Sequence, residues 1–360
     1  MAIKRHCFLT LGSALVAAAL GCDENAGYES RQFQAHLVRE VVIPASIYSG
    51  EINAADELDE SEIVFVSGEG SVFSLLNWSG HARTIGRKGS GPCELGGVST
   101  VLTVRPGVFL SVDAGNRRIQ EWSANGRCRH ETLHTSLFLS QAWLTKFGPL
   151  IRVQRESRSS ILLMLRSDSG GQLKQQLELP IASDGVSSTC VYCYMAVARD
   201  GSVYSYVFND THYRVLRFAP RGAPRPVLER ANVPLIQFAQ SEKDSITEFR
   251  RWLIEQEPTA MLRAILAKAS LEVPIPEVKR RFRFTPIVFE RLGLLLLTRS
   301  SAFGSSVPVD LFDLASGKFM GEIALPVGSR VLRANDRGLL VVGENSTGEP
   351  IFSQYQLTQH

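Results

Sequence analysis

Gly86-Arg-Lys-Gly-Ser-Gly-Pro-Cys-Glu-Leu-Gly-Gly97 begins the stretch that decides the fold of this 360-residue chain. It is followed by Gly107-Val-Phe-Leu-Ser-Val-Asp113 and by Ala114-Gly-Asn-Arg-Arg-Ile-Gln-Glu-Trp122-Ser-Ala-Asn-Gly126. Two apolar runs flank the turn Asp113-Ala-Gly-Asn116, and Asn125-Gly126 supplies the pair of positive-φ residues that a tight hairpin favours. The stretch therefore predicts a small antiparallel sheet built from successive hairpins, which extends over residues 98–133.

Five further groups of short apolar runs, separated by turn residues, repeat this pattern along the chain. They cover residues 63–85, 142–179, 195–228, 286–325 and 330–357. Helices do not alternate with these runs as a parallel sheet would require, so the pattern indicates an all-β architecture of six similar sheets.

The stretch around Asp113 resembles the six-bladed, NHL-like β-propellers of bacterial envelopes. Blades of that family open with a Gly-x-Gly-Pro-Gly-Glu-Phe-like loop and continue into Asp-x-x-Asn-x-Arg-Ile; in this chain Cys93 replaces the third Gly of the loop and Leu95 its Phe. The resemblance implies a six-bladed β-propeller over residues 35–360. Because the fold hosts both binding modules and enzymes, it implies architecture without chemistry.

The last group contains only three plausible strands, and the apolar run 37–43 near the N-terminus belongs to no group. A propeller that leaves its first and last blades apart exposes unpaired strand edges. We therefore predict that residues 37–43 pair with residues 352–357, so that an N-terminal strand closes the last blade.

Residues 240–283, between the fourth and fifth groups, depart from the strand pattern. Ser245-Ile-Thr-Glu248 has the form of a capping box, and Phe249, Trp252 and Leu253 recur at helical spacing. A second helix is predicted over residues 260–269. The sequence thus predicts a small helical insertion between blades four and five, in the most basic region of the chain.

The N-terminus has the form of an export signal. Lys4 and Arg5 precede an apolar run that is too short to span a bilayer and ends at Gly21-Cys22. This pattern resembles a bacterial lipoprotein signal, which implies removal of residues 1–21, lipidation of Cys22, for example with palmitate, and a flexible tether over residues 22–34. Ala19 and Leu20 stand in the reverse of the usual order, so ordinary cleavage to a secreted, unlipidated protein is the alternative. The predicted location is the bacterial envelope, anchored to a membrane in the periplasm or at the cell surface.

Composition narrows the range of partners. The formal net charge is +3 and no stripe of Lys and Arg interleaved with aromatic residues is present, which argues against nucleic acid. A hydrophobic content of 44% is enough for a large core, so we expect one folded domain, and a monomer.

His130-Glu-Thr-Leu-His134 matches the zinc-protease pattern His-Glu-x-x-His by letter. On a helix, residues four apart share a face at about 6 Å. On a strand they are roughly 13 Å apart, beyond the reach of one ion. The turn at Asn125-Gly126 favours a strand, so the sequence predicts no metal site and no catalytic residue here.

Four cysteines outside the signal could form disulfides: Cys93, Cys128, Cys190 and Cys193. Cys190-Val-Tyr-Cys193 has the spacing of a redox dithiol or of half a zinc knuckle, but its β-branched and aromatic neighbours favour a strand. In an oxidising compartment we expect one or two structural disulfides. The pair Cys93 and Cys128 is attractive because both cysteines flank one blade, and it belongs to one of the three connectivities that four cysteines allow.

The predicted function is a binding or interaction module of the envelope, which takes a protein or small-molecule ligand on its loop-bearing faces and needs no cofactor. The candidate binding loops surround Lys88, Asn116, Asn209, Ser301 and Asn345. Aspartates at blade turns are expected to accept backbone hydrogen bonds: Asp113, Asp200, Asp313 and Asp336. Two alternatives stay open, a metal-dependent hydrolase or lyase with its site in the central channel, and a scaffold that orders envelope partners. The sequence favours the non-enzymatic functions and does not specify the ligand.

Overall fold

The computed structural model describes residues 33–134, 137–155, 160–166, 173–180, 194–208, 212–219, 225–231, 236–271, 274–275, 277, 279 and 285–359. Within these ranges the chain forms six four-stranded antiparallel sheets and two α-helices. The six-bladed β-propeller predicted from the sequence is confirmed.

The N-terminal strand and the first three complete sheets come from the first half of the chain. Their strands are Phe33–Val42 (β1), Ile52–Glu57 (β2), Glu62–Ser67 (β3), Phe73–Asn77 (β4), Ala82–Ile85 (β5), Val98–Arg105 (β6), Val108–Asp113 (β7), Arg118–Ser123 (β8), Cys128–Leu133 (β9), Leu137–Thr145 (β10), Gly148–Arg155 (β11), Ser160–Arg166 (β12) and Leu173–Pro180 (β13).

The second half supplies the other three sheets and both helices. Their elements are Met195–Val197 (β14), Val203–Phe208 (β15), His212–Phe218 (β16), Arg225–Ala231 (β17), Gln240–Gln256 (α1), Ala260–Leu271 (α2), Ile287–Phe289 (β18), a 3₁₀ turn at Glu290–Leu292, Leu294–Thr298 (β19), Val307–Asp313 (β20), Phe319–Leu325 (β21), Arg330–Asn335 (β22), Gly338–Glu344 (β23) and Pro350–Gln359 (β24).

The sheets are arranged in a ring. Each of β2, β6, β10, β14, β18 and β22 is the first strand of its blade and contacts the corresponding strand of the next blade, and β22 contacts β2 to complete the circle. The loops that follow these inner strands therefore meet around one central space.

The N-terminal strand closes the ring, as predicted. β1 pairs antiparallel with β24 in a sheet of order β1-β24-β23-β22, with Leu37 opposite Tyr355 and Val41 opposite Phe352. The strand begins at Phe33, so it includes the last two residues of the expected tether. Phe33 is buried in the cluster that contains Tyr355, so it belongs to the core of the last blade.

Apolar clusters hold neighbouring blades together face to face. Phe65 of the first blade meets Phe352 of the last edge to face, with ring centroids 5.1 Å apart. Phe73 likewise contacts Phe109 and Trp122 of the second blade at 5.0 and 5.2 Å. Burial of each such ring stabilises the fold by about 1.5–3 kcal/mol. These aromatic contacts therefore stabilise the packing of each blade against its neighbour.

The hairpin at Asn125-Gly126 forms, but not with the predicted geometry. Gly126 has φ +82° and Asn125 does not have a positive φ. The Gly126 amide donates to Ser123 O at 2.9 Å and the Ser123 amide donates to Arg127 O at 3.0 Å. The turn is therefore longer than a two-residue connection, and only glycine occupies the left-handed region.

The helical insertion lies between β17 and β18, as predicted, but α1 begins earlier than expected. Ser245 and Glu248 lie inside the helix, where the Ser245 hydroxyl donates to Ser241 O at 3.0 Å. Glu242 provides the N-terminal contact instead, because its Oε2 accepts the Ala239 amide at 2.9 Å. Within the described ranges, no helix is long and apolar enough to cross a membrane.

Candidate functional site

A central cavity of about 530 Å³ is bounded by the inner strands of all six blades. Its lining combines polar residues such as Asn53 and Gln141 with larger apolar residues such as Trp143, Leu144 and Leu332. This volume lies within the usual range for sites that take small molecules. The cavity is therefore the candidate functional site.

One mouth of the cavity lies where the inner strands end and carries charges of both signs. The Arg199 amide donates to Glu290 Oε1 at 2.6 Å, and Arg199 Nη2 lies 3.9 Å from Asp336 Oδ2. These three residues follow β14, β18 and β22, so neighbouring blades contribute them. Arg199 and Asp336 are exposed, which leaves their charges accessible to a ligand.

Asp56 near the end of β2 is a buried carboxylate in the cavity wall. Its Oδ1 accepts the Glu57 amide at 3.0 Å and its Oδ2 accepts the Thr103 amide of the second blade at 2.8 Å. Arg333 Nε of the last blade lies 3.8 Å from Oδ2. Burial raises the pKa of the Asp56 carboxyl group, against the effect of the nearby Arg333 charge.

Glu57, the next residue, joins the first blade to the last. Its Oε2 accepts from Asn335 Nδ2 at 2.6 Å, and its Oε1 accepts from Gln354 Nε2 at 2.8 Å and from Arg39 Nη2 at 3.4 Å. The side chain has no solvent exposure. Burial raises the pKa of Glu57 and lowers the pKa of Arg39, so the removal of both charges from water outweighs their mutual attraction.

We call Arg39, Asp56, Glu57, Arg333, Asn335 and Gln354 the closure cluster. Raised carboxyl pKa values in a cleft are a common feature of catalytic sites. Here, however, all four carboxylate oxygens accept hydrogen bonds from protein groups, and three of the four accept them from other blades. The closure cluster is thus suited to holding the ring shut and leaves no carboxylate oxygen unoccupied for proton transfer.

Sequence reasoning missed β2, which carries both buried carboxylates. The run Ile52-Asn-Ala-Ala-Asp-Glu57 lacks β-branched residues after its first position and ends in two acids, so it resembles a loop. The one available signal was topological, because the first group offered three strands where a blade needs four.

The predicted site residues fall in several places. Cys93 and Cys128 form a disulfide, with their Cα atoms 6.0 Å apart. Cys22, Cys190 and Cys193 lie outside the described residues, as do residues 1–21. Residues 128–133 form the strand β9, so the motif His130–His134 is extended and not helical. In the described part of the chain, no group of three or more His, Cys, Asp or Glu side chains could hold a metal ion.

Four of the five positions that mark the candidate loops have hydrogen-bond or ion-pair partners within the protein. Lys88 Nζ pairs with Glu69, and Asn116 Nδ2 donates to Gly89 O at 2.8 Å. Lys279 Nζ donates to the Ser301 carbonyl at 2.9 Å, and Asn345 Oδ1 accepts the Thr347 amide at 3.0 Å. Asn209 lies outside the described residues. None of the four described positions lines the central cavity.

The aspartates at blade turns accept backbone hydrogen bonds in three of four cases. Asp113 accepts the Gly96 and Gly97 amides at 2.9 and 3.0 Å, Asp200 accepts the Ser202 amide at 2.8 Å, and Asp313 accepts the Ser316 amide at 2.7 Å. Asp336 instead pairs with Arg199 at the cavity mouth.

Comparison with known proteins supports the architecture. No protein-family model matches the sequence, and no curated protein matches it either. A member of the DUF4221 family from Bacteroides vulgatus has a similar structure, with a TM-score of 0.54 at 9% identity over 92% of this chain and 100% of the other. A Bacteroides fragilis protein assigned as exported gives a TM-score of 0.52 at 12% identity over 91% of this chain and 95% of the other. Virginiamycin B lyase from Staphylococcus aureus gives a TM-score of 0.45 at 11% identity over 89% of this chain and 87% of the other. For the two Bacteroides proteins, identities this low show a shared fold alone.

Proposed function

We propose that this chain is an exported binding protein, anchored to an envelope membrane through Cys22, whose central cavity takes a small polar ligand. The cavity of about 530 Å³, open at a mouth that carries Arg199 and Asp336, is the observation that supports the proposal most strongly. The basic and apolar N-terminal segment supports export, and the similar fold of the exported Bacteroides fragilis protein agrees with it.

The wall of the cavity indicates the chemistry of the ligand. Asn53, Ser99 and Gln141 provide neutral polar groups, and the mouth provides both a guanidinium and carboxylates. A ligand with hydrogen-bonding groups along its length and a charged end would match this surface, because specificity in such sites comes from a few placed polar contacts.

Binding can be tested with the mature chain and a library of small polar compounds, first by thermal shift and then by calorimetry. We expect Arg199→Ala to weaken binding of a charged hit about tenfold, since hydrogen bonds to charged groups contribute about 1.5–3 kcal/mol. Arg127→Ala is the matched control, because Arg127 is an exposed arginine on an outer turn. Charged hits that bind both variants as tightly as the wild type would contradict a ligand held at the mouth by Arg199.

The enzyme alternative is tested by metal analysis of the same protein. Stoichiometric zinc or calcium, together with turnover of a bound compound, would replace the binding function with catalysis.

The anchor is tested separately by labelling cells with radioactive palmitate. Label in the wild type and its loss in Cys22→Ala are expected, whereas an unlabelled wild type would indicate a secreted protein. Cross-linking in membranes tests the scaffold alternative, for which one abundant protein partner is expected.

A further inference from the structure

The two helices of the insertion turn a large apolar face toward solvent. On α1, Phe249, Trp252 and Leu253 are 58, 52 and 43% exposed, and no residue of this helix is buried. On α2, Met261 is 72% exposed, and Leu262 and Ile265 are similarly open at 48 and 51%. We call these six residues the apolar helix face. Exposed apolar side chains in this number on a folded protein mark an interaction site.

Polar contacts fix the base of the insertion and leave the apolar helix face uncovered. Lys279 Nζ donates to Glu242 Oε1 at 2.5 Å and to the Ser301 carbonyl of the fifth blade at 2.9 Å. Lys243 Nζ donates to Glu277 Oε2 at 2.7 Å. Phe249, Trp252 and Leu253 are spaced three and four residues apart, so they share one side of α1. A surface helix usually directs such a side to the core, and α1 does the reverse.

We infer that the apolar helix face lies in the interfacial region of a lipid bilayer with anionic headgroups. The inference rests on the proposed membrane anchor at Cys22, which would hold the domain beside that surface. Phe249 and Trp252 stack with ring centroids 5.8 Å apart, and aromatic side chains of this kind favour the headgroup level of a bilayer.

Charge on the insertion supports an anionic surface as the occupant. Residues 240–283, the whole insertion, contain nine basic side chains and seven carboxylates, and two of the arginines, Arg250 and Arg251, lie between Phe249 and Trp252 in sequence. Helices that rest on membranes combine Trp, Phe and Leu on one face with basic residues beside it. Each basic residue near an anionic surface strengthens binding by about fivefold.

Vesicle co-sedimentation tests the inference with the full mature chain carrying Cys22→Ala, so that binding does not depend on the lipid. Vesicles of phosphatidylcholine with one quarter phosphatidylglycerol are compared with pure phosphatidylcholine. We expect the wild type to partition onto the anionic vesicles. Trp252→Ala should lower the partition coefficient about tenfold. The double variant Arg250→Gln/Arg251→Gln should lower it on anionic vesicles only.

Phe147→Ala provides the matched control, because Phe147 is also exposed, at 57%, but lies between β10 and β11. It should bind vesicles as the wild type does. Thermal melts of all variants establish that each is folded, which is expected for exposed positions. A Trp emission shift toward the blue on vesicle addition should be present in the wild type and absent in Trp252→Phe.

Two results would overturn the inference. One is no partition of the wild type onto either vesicle. The other is self-association by analytical ultracentrifugation that Trp252→Ala abolishes while vesicle binding is absent, which would make a second copy the occupant. Failure here is distinguishable from failure of the proposed function, because cavity binding and palmitate labelling do not involve the apolar helix face.

Discussion

Arg39 of the N-terminal strand lies over the ring of Trp78, with its Cζ atom 4.2 Å from the ring centroid. The same guanidinium donates from Nε to Gln354 Oε1 at 2.7 Å and from Nη1 to the Glu60 carbonyl at 2.6 Å. Trp78 and Glu60 belong to the first blade and Gln354 to the last. One side chain therefore ties both sides of the seam where the ring closes, in addition to the main-chain pairing of β1 with β24.

Replacement of Arg39 by Ala should lower the free energy of unfolding by about 2–3 kcal/mol, because it removes these contacts and one of the two arginines, Arg39 and Arg337, whose charges act on buried Glu57. Urea denaturation followed by circular dichroism measures the change. Arg127→Ala is the control and should differ from the wild type by less than about 0.5 kcal/mol, as is usual for surface substitutions. Equal curves for the two variants would show that the seam does not depend on Arg39.

The closure cluster should also make stability depend on pH. Burial raises the pKa of Asp56 and of Glu57, so the native protein binds these protons more readily than the unfolded chain does. Their contribution to stability is complete below the unfolded pKa values, near about 4, and is lost as the pH rises through the native values. The stability advantage of the wild type over Glu57→Gln should therefore fall between about pH 4 and pH 7.

Urea midpoints for both proteins at pH 4, 5, 6 and 7 measure this difference. Asp56→Asn combined with Glu57→Gln should flatten the pH dependence further. A difference that is constant, or that grows with pH, would mean that the native carboxylates are held by their hydrogen bonds more strongly than burial opposes them.

Much of the fold follows from local signals. Asp113-Ala-Gly-Asn116 and its flanking apolar runs specify one blade, and the repeat of that pattern specifies the others. The pairing of residues 37–43 with residues 352–357 was predictable because an open ring would leave two strand edges unpaired. The start of α1 was not, since Glu242 caps the Ala239 amide without a Ser or Thr partner, and Ser245 offered a misleading alternative.

The candidate site was much less predictable. Thr103, Asn335 and Gln354 reach Asp56 and Glu57 from other blades, and those partners are between 47 and 297 positions away in the chain. No local pattern reports such contacts. The candidate binding loops around Lys88, Asn116, Ser301 and Asn345 stay a prediction, and none of these four residues lines the central cavity.

The Cys93–Cys128 disulfide joins the glycine-rich loop of the second blade to β9, across a sequence separation of 35 residues. Cys93→Ser combined with Cys128→Ser should lower the free energy of unfolding by about 3–4 kcal/mol, the range for a closed loop of this length. Urea denaturation with and without dithiothreitol measures the effect. Cys190→Ser combined with Cys193→Ser is the control and should keep the full response to dithiothreitol. A wild type that is insensitive to reductant would show that this bond does not stabilise the native state.

Gly97 and Gly115 face each other where the glycine-rich loop meets the turn after β7, and they should respond differently to alanine. A Cβ atom on Gly115 would lie 2.6 Å from the Gly96 carbonyl carbon and 2.9 Å from the Gly97 nitrogen, both backbone atoms. On Gly97 the nearest atom would be 3.7 Å away, at ordinary contact distance. The close approach is maintained by Asp113, which accepts the amides of Gly96 and Gly97.

Gly115→Ala should therefore destabilise the protein by about 1–3 kcal/mol, since the loop must move away from its anchor, while Gly97→Ala should change stability by less than about 1 kcal/mol. Thermal melts and urea midpoints compare the stabilities of the two variants, which carry the same substitution on opposite sides of one contact. Equal destabilisation would mean that the loop is not packed against the turn in solution. Rescue offers a second check, because Asp113→Asn weakens the anchor and should reduce the additional cost of Gly115→Ala in the double variant.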